Sequence, residues 1–552
     1  MKIKTTHYIY VISFLISFQE FYAQDLSLKI SSSKKNERLI LDRVDYQKKH
    51  KDSASIYFEL NKISSYLKNN GYFTNTLDSI KNENKEYIAY FSLNDKIENV
   101  VIKINSNSEF IFNILNKKNN IITIPIEILQ TTLNKISSNL DKEGKSFSKV
   151  QLKNILINDE TLFADLDIHQ SKKRIINKII VKEYEDFPKS YIKNYFNIKP
   201  NTIFNQHKIK EISNASKNLK FIKEIKTPEV LFTKDSTLLY IYLRKQQNNS
   251  FDGIVNFASK EDGGVLFNGN IDLKLNNILN RGEKFELFWN SIDEERQEFR
   301  LLTEIPFIFN SKFSPQLSFS IYKQDSTFLS AKFDSKLFYH INPKTKLALT
   351  YSSESSKNLE KLLNNNIENF DNTFLGLKFQ YSIPTNNSFF NDKIKIVINP
   401  SIGRRKTNQN SSNQLKIQTT ASYILNLNTR NNLFIRNKTG YLNSNNYIDN
   451  ELFRIGGINS IRGFNEQSIF TKKYTFFNTE YRYTTSDKSY LYTISDFGII
   501  DTINKNILGL GLGYLFVNKK SIINIALAIG KENNNSFKSN NSKFIIKWTN
   551  YF

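Results

Sequence analysis

The chain has 552 residues, which is too long for one ordinary domain, so several domains are expected. It contains no cysteine, which excludes a disulfide framework, a thiol nucleophile and a thiolate metal site. Its 77 basic and 53 acidic residues give a net charge of +24, a surplus that attracts nucleic acid or anionic lipid. Lys, Asn and Ile are abundant throughout, and no compact block of Lys and Arg occurs. We expect contact with anionic lipid headgroups and none with nucleic acid, which an exported protein seldom meets.

The N-terminus has the pattern of a secretory signal peptide, which we place at residues 1–24. Lys2 and Lys4 give it a basic start, residues 8–18 form an apolar run, and residues 21–24 form a cleavage zone. A membrane anchor is the alternative, but the apolar run is too short to span a bilayer. No later segment reaches the ~20 apolar residues of a spanning helix, so a membrane role depends on strands.

The region after the signal mixes helical and strand patterns and contains an internal repeat. Asn-Lys-Ile-Ser-Ser at 61–65 recurs at 134–138, an offset of 134 − 61 = 73 residues, which is the size of a small domain. Apolar residues in both copies have helical spacing, and Gly71 and Gly144 end the two helices. Strands complete each unit in the order strand, helices, strand, strand; one larger α+β domain is the alternative. The three predicted units are residues 25–95, 96–171 and 172–248.

From residue 249 to 552 the helical period disappears, and segments of about ten residues alternate apolar with polar or small residues. Residues 373–383 show this alternation best, and turns rich in Asn, Ser and Lys, such as 353–372 and 533–542, separate the segments. The 304 residues allow 19 for each of sixteen strands with its turn. We predict a transmembrane barrel of about sixteen antiparallel strands. A soluble β-sandwich is the alternative, but it exposes sheet edges that a closed barrel removes.

A glycine-rich, apolar segment with a single arginine lies in the long connection between the eleventh and twelfth predicted strands. Such a segment either hangs outside as a flexible loop or folds into the barrel, where Arg462 needs an acidic partner. Glu480 shares the inward face of the next predicted strand and is expected to take Arg462 in a bidentate bond, with Asp496 as a second candidate. Breaking such a buried pair costs on the order of 3–5 kcal/mol. The predicted latch comprises Gly456, Gly457, Ser460, Ile461, Arg462, Gly463 and Phe464.

These residues resemble the BamA/TamA superfamily, in which periplasmic POTRA repeats precede a sixteen-strand outer-membrane barrel. Ile-Arg-Gly-Phe at 461–464 resembles the [V/I/L]-R-G-[F/Y] motif of the family's sixth external loop, and residues 456–460 resemble its usual lead-in. Further resemblances lie in the strand motifs at 480–483, 495–498 and 509–514, in the POTRA-like turns at 70–73 and 143–147, and in the terminal Phe552, which resembles a recognition signal of barrel precursors.

The resemblance implies a protein that inserts or translocates other proteins at the outer membrane without nucleotide hydrolysis, with its repeats in the periplasm. The expected partners are outer-membrane lipid, unfolded outer-membrane or exported client proteins, and periplasmic or lipoprotein partners. Strand edges of the repeats would bind clients by β-augmentation. We hypothesise that a weakly paired seam between the first strand (251–260) and the last (544–552) opens laterally and templates a client strand. The seam residues are Phe251, Gly253, Phe544, Trp548 and Phe552.

Three other functions share parts of this pattern. Three repeats instead of five, and Asn550 where an aromatic is common, favour a TamA-like or lineage-specific paralogue. A two-partner-secretion translocator dedicated to one exported substrate is the alternative, although it would usually have two POTRA units and a plug helix. A passive porin would need neither the repeats nor the latch. We expect that the protein is not an enzyme and has no cofactor. Arg462 stands where a nucleophile elbow requires glycine, and the five histidines do not have the spacing of metal ligands.

Overall fold

The computed structural model describes residues 26–83, 85–104, 120–259, 265–292, 296–359, 366–385, 389–390, 392–501, 505–518, 520–533, 535–537 and 542–552. The predicted signal peptide therefore lies outside the described residues. The chain divides into two compact units, of which one comprises the residues up to Arg174 with Ile203–Gln206 and the other comprises Ile175–Thr202 with His207–Phe552. In the part of the chain that is described, no helix is both long and apolar enough to cross a membrane.

The first repeat packs two helices against a four-stranded sheet of order β2-β1-β4-β3, with β1 parallel to β4. The second repeat has a sheet of order β6-β5-β8-β7, with β5 parallel to β8. Both are α/β units consistent with POTRA-like repeats. Their elements are β1 (Leu26–Ser31), α1 (Lys35–Leu41), β2 (Lys49–His50), α2 (Ser53–Asn69), β3 (Thr76–Glu83), β4 (Glu86–Ser92), β5 (Asn99–Ile104), β6 (Ile121–Pro125), α3 (Leu129–Lys142), β7 (Lys149–Asn158) and β8 (Thr161–His169).

The two copies of the repeated helix form for the reasons that the sequence indicates. Asp52 caps the start of α2 by accepting a hydrogen bond from the Ser55 amide at 2.8 Å. The apolar positions of α2 and α3 at helical spacing are turned into the two cores. Gly71 and Gly144 follow the helices with φ of +98° and +86°, a conformation that glycine adopts without strain.

The third repeat has a three-stranded sheet of order β10-β13-β12, in which β10 and β13 are parallel. Its elements are β9 (Ile175–Ile176), β10 (Lys178–Lys182), α4 (Lys189–Asn194), β11 (Thr202–Ile203), α5 (Gln206–Ser216), β12 (Ile222–Phe232) and β13 (Thr237–Lys245). Strand β13 leads after four residues into the next sheet, which begins at Ser250.

An aromatic cluster joins this third repeat to the sheet that follows. Phe307, in a turn of the large sheet, is 3% exposed and lies with its ring centroid 4.9 Å from that of Tyr191 on α4. The Tyr191 hydroxyl donates to the carbonyl of Gly282 at 3.4 Å, in a neighbouring turn. Phe307 adopts φ of +54°, which is unusual for a bulky residue, so the packing of its ring holds a strained turn in place.

The rest of the chain forms one closed barrel of sixteen antiparallel strands, which confirms the predicted fold. Two additional short strands, β25 and β26, pair with each other and are not part of the barrel sheet. The strands are β14 (Ser250–Ser259), β15 (Val265–Asn276), β16 (Lys284–Ile292), β17 (Arg296–Glu304), β18 (Phe313–Gln324), β19 (Phe328–Asn342), β20 (Thr345–Asn358), β21 (Phe370–Pro384), β22 (Asp392–Thr407), β23 (Ser411–Asn426), β24 (Asn431–Asn443), β25 (Phe453–Ile455), β26 (Ile469–Thr471), β27 (Lys473–Ser486), β28 (Ser489–Ile500), β29 (Lys505–Asn518), β30 (Ser521–Glu532) and β31 (Lys543–Tyr551).

One predicted turn is wrong at both ends. Residues 353–372 were expected to be a turn because Ser, Asn and Lys are abundant in them, yet β20 continues to Asn358 and β21 already begins at Phe370. The polar residues in these strand ends still alternate, with Ser356 and Asn372 buried inside the barrel. Polar side chains suit strand positions that face a polar interior, so composition alone misplaced the strand ends.

The alternation along the strands sets an apolar outer face against a mostly polar inner face. On β21, Leu375 and Leu377 point outward with 56% and 65% exposure, whereas Asn372 points inward. Leu512 on β29 is 68% exposed on the outside, whereas Gly509 and Gly511 point to the interior. Such a closed sheet satisfies its backbone polar groups internally and presents apolar side chains to lipid.

Candidate functional site

The segment between β24 and β27 folds into the barrel interior. Gly456, Gly457 and Gly463 have φ of +112°, +90° and +91°, so the segment reverses direction at positions that only glycine takes easily. The Ser460 hydroxyl accepts a hydrogen bond from the Gly456 amide at 3.1 Å and thereby closes the first turn. Ile461 is fully buried against residues of β27, β28 and β29. We call residues 444–472 the inner loop.

Arg462 is held by two carboxylates inside the barrel. Its Nε donates to Asp496 Oδ2 at 2.8 Å, and its Nη2 donates to Asp496 Oδ1 at 2.6 Å. Its third nitrogen, Nη1, forms an ion pair with Glu480. The bidentate partner is therefore Asp496 on β28, whereas the sequence had predicted Glu480. The alternation along β28 turns the Asp496 side chain fully inward. Burial alone would lower the pKa of Arg462, but hydrogen bonds and the charges of Asp496 and Glu480 raise it above its ordinary value.

A second set of contacts surrounds Arg462 and its two carboxylate partners. Asn478 donates to the Ser460 carbonyl at 2.7 Å and accepts two bonds from Arg436, at 2.9 and 2.7 Å. Arg482 donates to Glu480 Oε2 at 2.6 Å from Nη2. Its guanidinium also lies 4.1 Å from the ring centroid of Phe434, so Glu480 sits between two arginines. The guanidinium groups of Arg462 and Arg482 neutralise the Glu480 carboxylate. These ion pairs and hydrogen bonds offset the free-energy cost of burying the charges.

Three glycines on the barrel wall leave room for the inner loop. A Cβ at Gly509 would lie 2.2 Å from the carbonyl oxygen of Arg462, and one at Gly530 would lie 2.7 Å from the Phe464 ring. A Cβ at Gly498 would meet the Ile461 side chain at 2.4 Å. The sequence suggested the Gly-rich strand at 509–514 but gave no role to Gly530, whose only signal is a glycine within an apolar strand.

The inner loop also contacts the opposite side of the barrel. Arg296 on β17 binds the carbonyl of Glu466, and Gln467 donates to Glu298 at 2.9 Å. The guanidinium of Arg454 lies 3.6 Å from the ring centroid of Tyr322 on β18. The loop therefore crosses the barrel interior and is held at both walls.

A second buried ion pair, which the sequence analysis missed, holds the start of the inner loop. Arg405 on β22 pairs with Glu451, and their side chains are 1% and 2% exposed. Glu451 also accepts a hydrogen bond from Gln414 on β23 at 2.7 Å. The available signal was an arginine at an inward position of an alternating strand, where an unpaired cation is costly.

The seam between the first and last strands is paired only at one end. Ser250 pairs with Tyr551 and Phe251 with Asn550, and the Phe552 amide donates to the Asn249 carbonyl at 3.0 Å. Beyond these pairs, and within the described parts of both strands, β14 pairs only with β15 and β31 only with β30. Every other neighbouring pair of barrel strands is joined over most of its length.

The side chains predicted at the seam face the outside of the barrel. Phe544 and Trp548 on β31 are 67% and 56% exposed, and Phe251 on β14 is exposed as well. Gly253 pairs with Ile271 of β15 and has no partner on β31 among the described residues. Lys260, the end of the predicted first strand, lies outside the described residues. No group of three or more His, Asp or Glu residues that could hold a metal ion occurs in the described part of the chain.

No protein-family model matches the sequence, and no curated protein matches it. Among solved structures, CdiB from Acinetobacter baumannii matches with a TM-score of 0.52 and 15% identity, over 81% of this chain and 88% of that chain. CdiB from Escherichia coli matches with a TM-score of 0.51 and 13% identity, over 89% of this chain and 96% of that chain. BamA from Haemophilus ducreyi lacking POTRA domains 1-3 is also similar, with a TM-score of 0.45 and 13% identity over 82% and 99%.

The chain therefore has the fold of the CdiB structures. A closed sixteen-strand barrel with an apolar outer face makes the chain an outer-membrane protein. The inner loop joins the eleventh and twelfth barrel strands, so it is the sixth connection at the end of the barrel opposite Ser250.

Proposed function

We propose that this protein assembles or translocates client polypeptides at the outer membrane and that it templates client strands at the seam between β14 and β31. The observation that carries this proposal is the one-ended pairing of that seam. Backbone N–H and C=O groups without a partner are costly in hydrocarbon, so an extended client that pairs with them is stabilised there. The proposal requires no catalytic residue and no cofactor, and we infer that the protein is not an enzyme.

The inner loop has a supporting role in this proposal. We infer that the contacts of Arg462 with Asp496 and Glu480 act as a latch that keeps the barrel interior occupied while the seam opens. The repeats would lie in the periplasm and offer strand edges to unfolded clients and to periplasmic or lipoprotein partners.

A disulfide across the seam tests the proposal, because the natural chain has no cysteine to interfere. Continuing the register of Ser250 with Tyr551 places Asn256 opposite Ile545. The variant Asn256→Cys/Ile545→Cys locks the seam, whereas Asn256→Cys/Asn268→Cys joins two strands that are already paired and serves as the matched control. In proteoliposomes, insertion of a radiolabelled barrel client should be lost on oxidation of the first variant, return on reduction, and persist in the control. Full activity of the oxidised seam variant would overturn the proposal.

The alternative is a two-partner-secretion-type translocator dedicated to one exported substrate, and the fold likeness to CdiB at a TM-score above 0.5 is compatible with it. Depletion of the protein followed by profiling of the outer-membrane proteome separates the two functions. Loss of many barrel proteins would support the general insertase, whereas loss of one exported protein with unchanged barrels would support the dedicated translocator.

A further inference from the structure

The two halves of the barrel interior differ in how their charges are balanced. On the side formed by β15–β17, inward bases and acids alternate and pair: Lys274 lies 2.6 Å from Asp272, and Lys284 lies 2.5 Å from Glu286. Lys274 also stands opposite Glu286 in the strand register. Charges on this side therefore neutralise one another at short range.

The side formed by β19–β24 is basic and lacks this balance. We call six of its inward lysines the basic wall: Lys336, Lys346, Lys378, Lys395, Lys416 and Lys438. Among the described residues, no carboxylate lies within 4.0 Å of any of these six ammonium groups. The inward acids Asp334 and Glu354 are too few to compensate, and Asp334 already pairs with Lys332 at 3.3 Å.

Strand register places these lysines along a continuous path. Lys346 directly follows the tight turn after β19, at the end of the barrel that bears Ser250. Lys336 and Lys416 share one cross-strand row further in, through Thr350, Gly376 and Ser401. Lys438 lies in the same cross-strand row as Lys346 and donates to the carbonyl of Asn459 in the inner loop at 2.9 Å. The basic wall therefore extends from the barrel mouth beside Ser250 to the inner loop, which it meets at Phe453 and Asn459.

Aromatic rings lie beside several ammonium groups of the basic wall and do not neutralise them. Lys346 and Lys378 both lie over the Phe338 ring, 5.8 and 5.7 Å from its centroid. Lys416 lies 5.4 Å from the Phe374 ring and 5.1 Å from the Phe453 ring. An aromatic face attracts a cation but carries no net charge, so the repulsion among the lysines persists.

The barrel does not need this arrangement in order to fold. Uncharged polar side chains fill an aqueous interior without like-charge repulsion, and ionisable residues inside a membrane protein mark a ligand path more often than a structural need. Compositional bias toward lysine does not explain the asymmetry either, because the lysines on β15 and β16 are paired with acids. A ligand that brings negative charge would compensate the basic wall.

We propose that the basic wall is a binding site for carboxylate-rich polypeptide segments that enter the barrel from the end where β14 begins at Ser250. This inference rests on the proposed function, because the polypeptide is the client. Rows of lysines on adjacent strands, spaced along the barrel axis, match an extended chain with carboxylates on alternate residues better than they match a single compact anion.

Peptide binding to the full-length protein in detergent tests the inference without any client. The probes are a fluorescein-labelled peptide of alternating Glu and Gly and its Lys–Gly counterpart, followed by fluorescence anisotropy. The inner variant is Lys336→Gln/Lys378→Gln/Lys416→Gln. The matched control is Lys357→Gln/Lys406→Gln/Lys473→Gln, which removes the same charge from exposed positions on the outside of the same barrel.

The acidic peptide should bind the natural protein and the control alike and should bind the inner variant about tenfold more weakly. The variant Lys336→Arg/Lys378→Arg/Lys416→Arg should keep its affinity, which separates charge from folding. Equal losses in the inner and control variants, or equal binding of the basic peptide, would overturn the inference. Displacement of the peptide by equimolar inorganic phosphate would also overturn it, since the wall would then take free anions. The seam-lock experiment leaves the basic wall intact, so either idea can fail without the other.

Discussion

Arg462 binds Asp496 through three hydrogen bonds, two from its guanidinium at 2.8 and 2.6 Å and one from its backbone amide at 2.9 Å. Asp496→Asn removes the charge while keeping the shape, so we expect the free energy of unfolding to fall by about 3–5 kcal/mol. Urea unfolding in micelles, followed by Trp fluorescence, measures this change. Asp501→Asn is the control, because Asp501 and Lys472 are 3.6 Å apart and each 39% exposed. A similar small loss in both variants would contradict the latch.

Gly509→Ala tests the same contact from the side of the barrel wall. The new methyl group would stand 2.2 Å from the Arg462 carbonyl, closer than any real contact, so we expect the inner loop to detach. Limited proteolysis of the loop should become at least several-fold faster. In the double variant with Arg462→Ala the loop is already released, so Gly509→Ala should add little. Additive effects of the two changes would show that Gly509 acts elsewhere.

Much of this site could be predicted from the strand alternation. Placing Glu480 inward requires only a two-residue period, and the apolar loop with one arginine then requires an acidic partner. The preference of Arg462 for Asp496 over Glu480 could not be predicted, because it depends on the turn at Gly463 and the direction in which β28 faces. Sequence also gave no hint of Glu451 as a partner of Arg405, because the two lie in segments that come together only when the barrel closes.

The basic wall shows the same division between local and long-range information. Lysines at inward positions could be recognised strand by strand, as in the segment at 373–383. Whether each lysine meets a carboxylate depends on the neighbouring strand and its register, and register is fixed by the closed sheet as a whole. The net charge of the sequence therefore suggested contact with lipid headgroups. The structure instead places six of the lysines, the basic wall, inside the barrel.

The contact between Phe307 and Tyr191 predicts how firmly the third repeat is held to the barrel. Phe307→Ala removes a buried ring that lies 4.9 Å from Tyr191 and 4.6 Å from His340, so about 3–5 kcal/mol of packing is lost. Hydrogen exchange should then increase in α4. Phe309→Ala is the matched control in the same turn, because Phe309 is 96% exposed. Unchanged exchange in the Phe307 variant would show that other contacts hold the repeat.

The buried pair of Arg405 and Glu451 predicts a non-additive response. Arg405→Met alone leaves the Glu451 charge without its cation, and we expect a loss of about 3–5 kcal/mol in unfolding free energy. The double change Arg405→Met/Glu451→Gln removes both charges and should restore most of that loss, because a neutral pair of similar volume needs no compensation. Urea unfolding of the three variants, compared with the natural protein, measures the coupling. A double variant as unstable as the single one would exclude this explanation.

Glu224 on β12 predicts a pH dependence in the third repeat. Burial raises the pKa of its carboxyl above the ordinary value, although a hydrogen bond from Ser213 at 2.8 Å opposes the shift. A carboxyl whose pKa is higher in the folded than in the unfolded state binds its proton more tightly when folded. The repeat should therefore gain stability as the pH falls from the raised pKa toward about 4.3, the unfolded value.

Hydrogen exchange of α5 and β12 between pH 4 and pH 7, corrected for intrinsic rates, measures the effect of Glu224. Its Oε1 is buried without a hydrogen-bond partner among the described residues, so Glu224→Gln should protect these elements at pH 7 and remove their pH dependence. Glu185→Gln, in the same repeat at an exposed position, should change neither the protection nor its pH dependence. If the Glu224→Gln protein kept the natural pH profile, another group would have to be responsible for it.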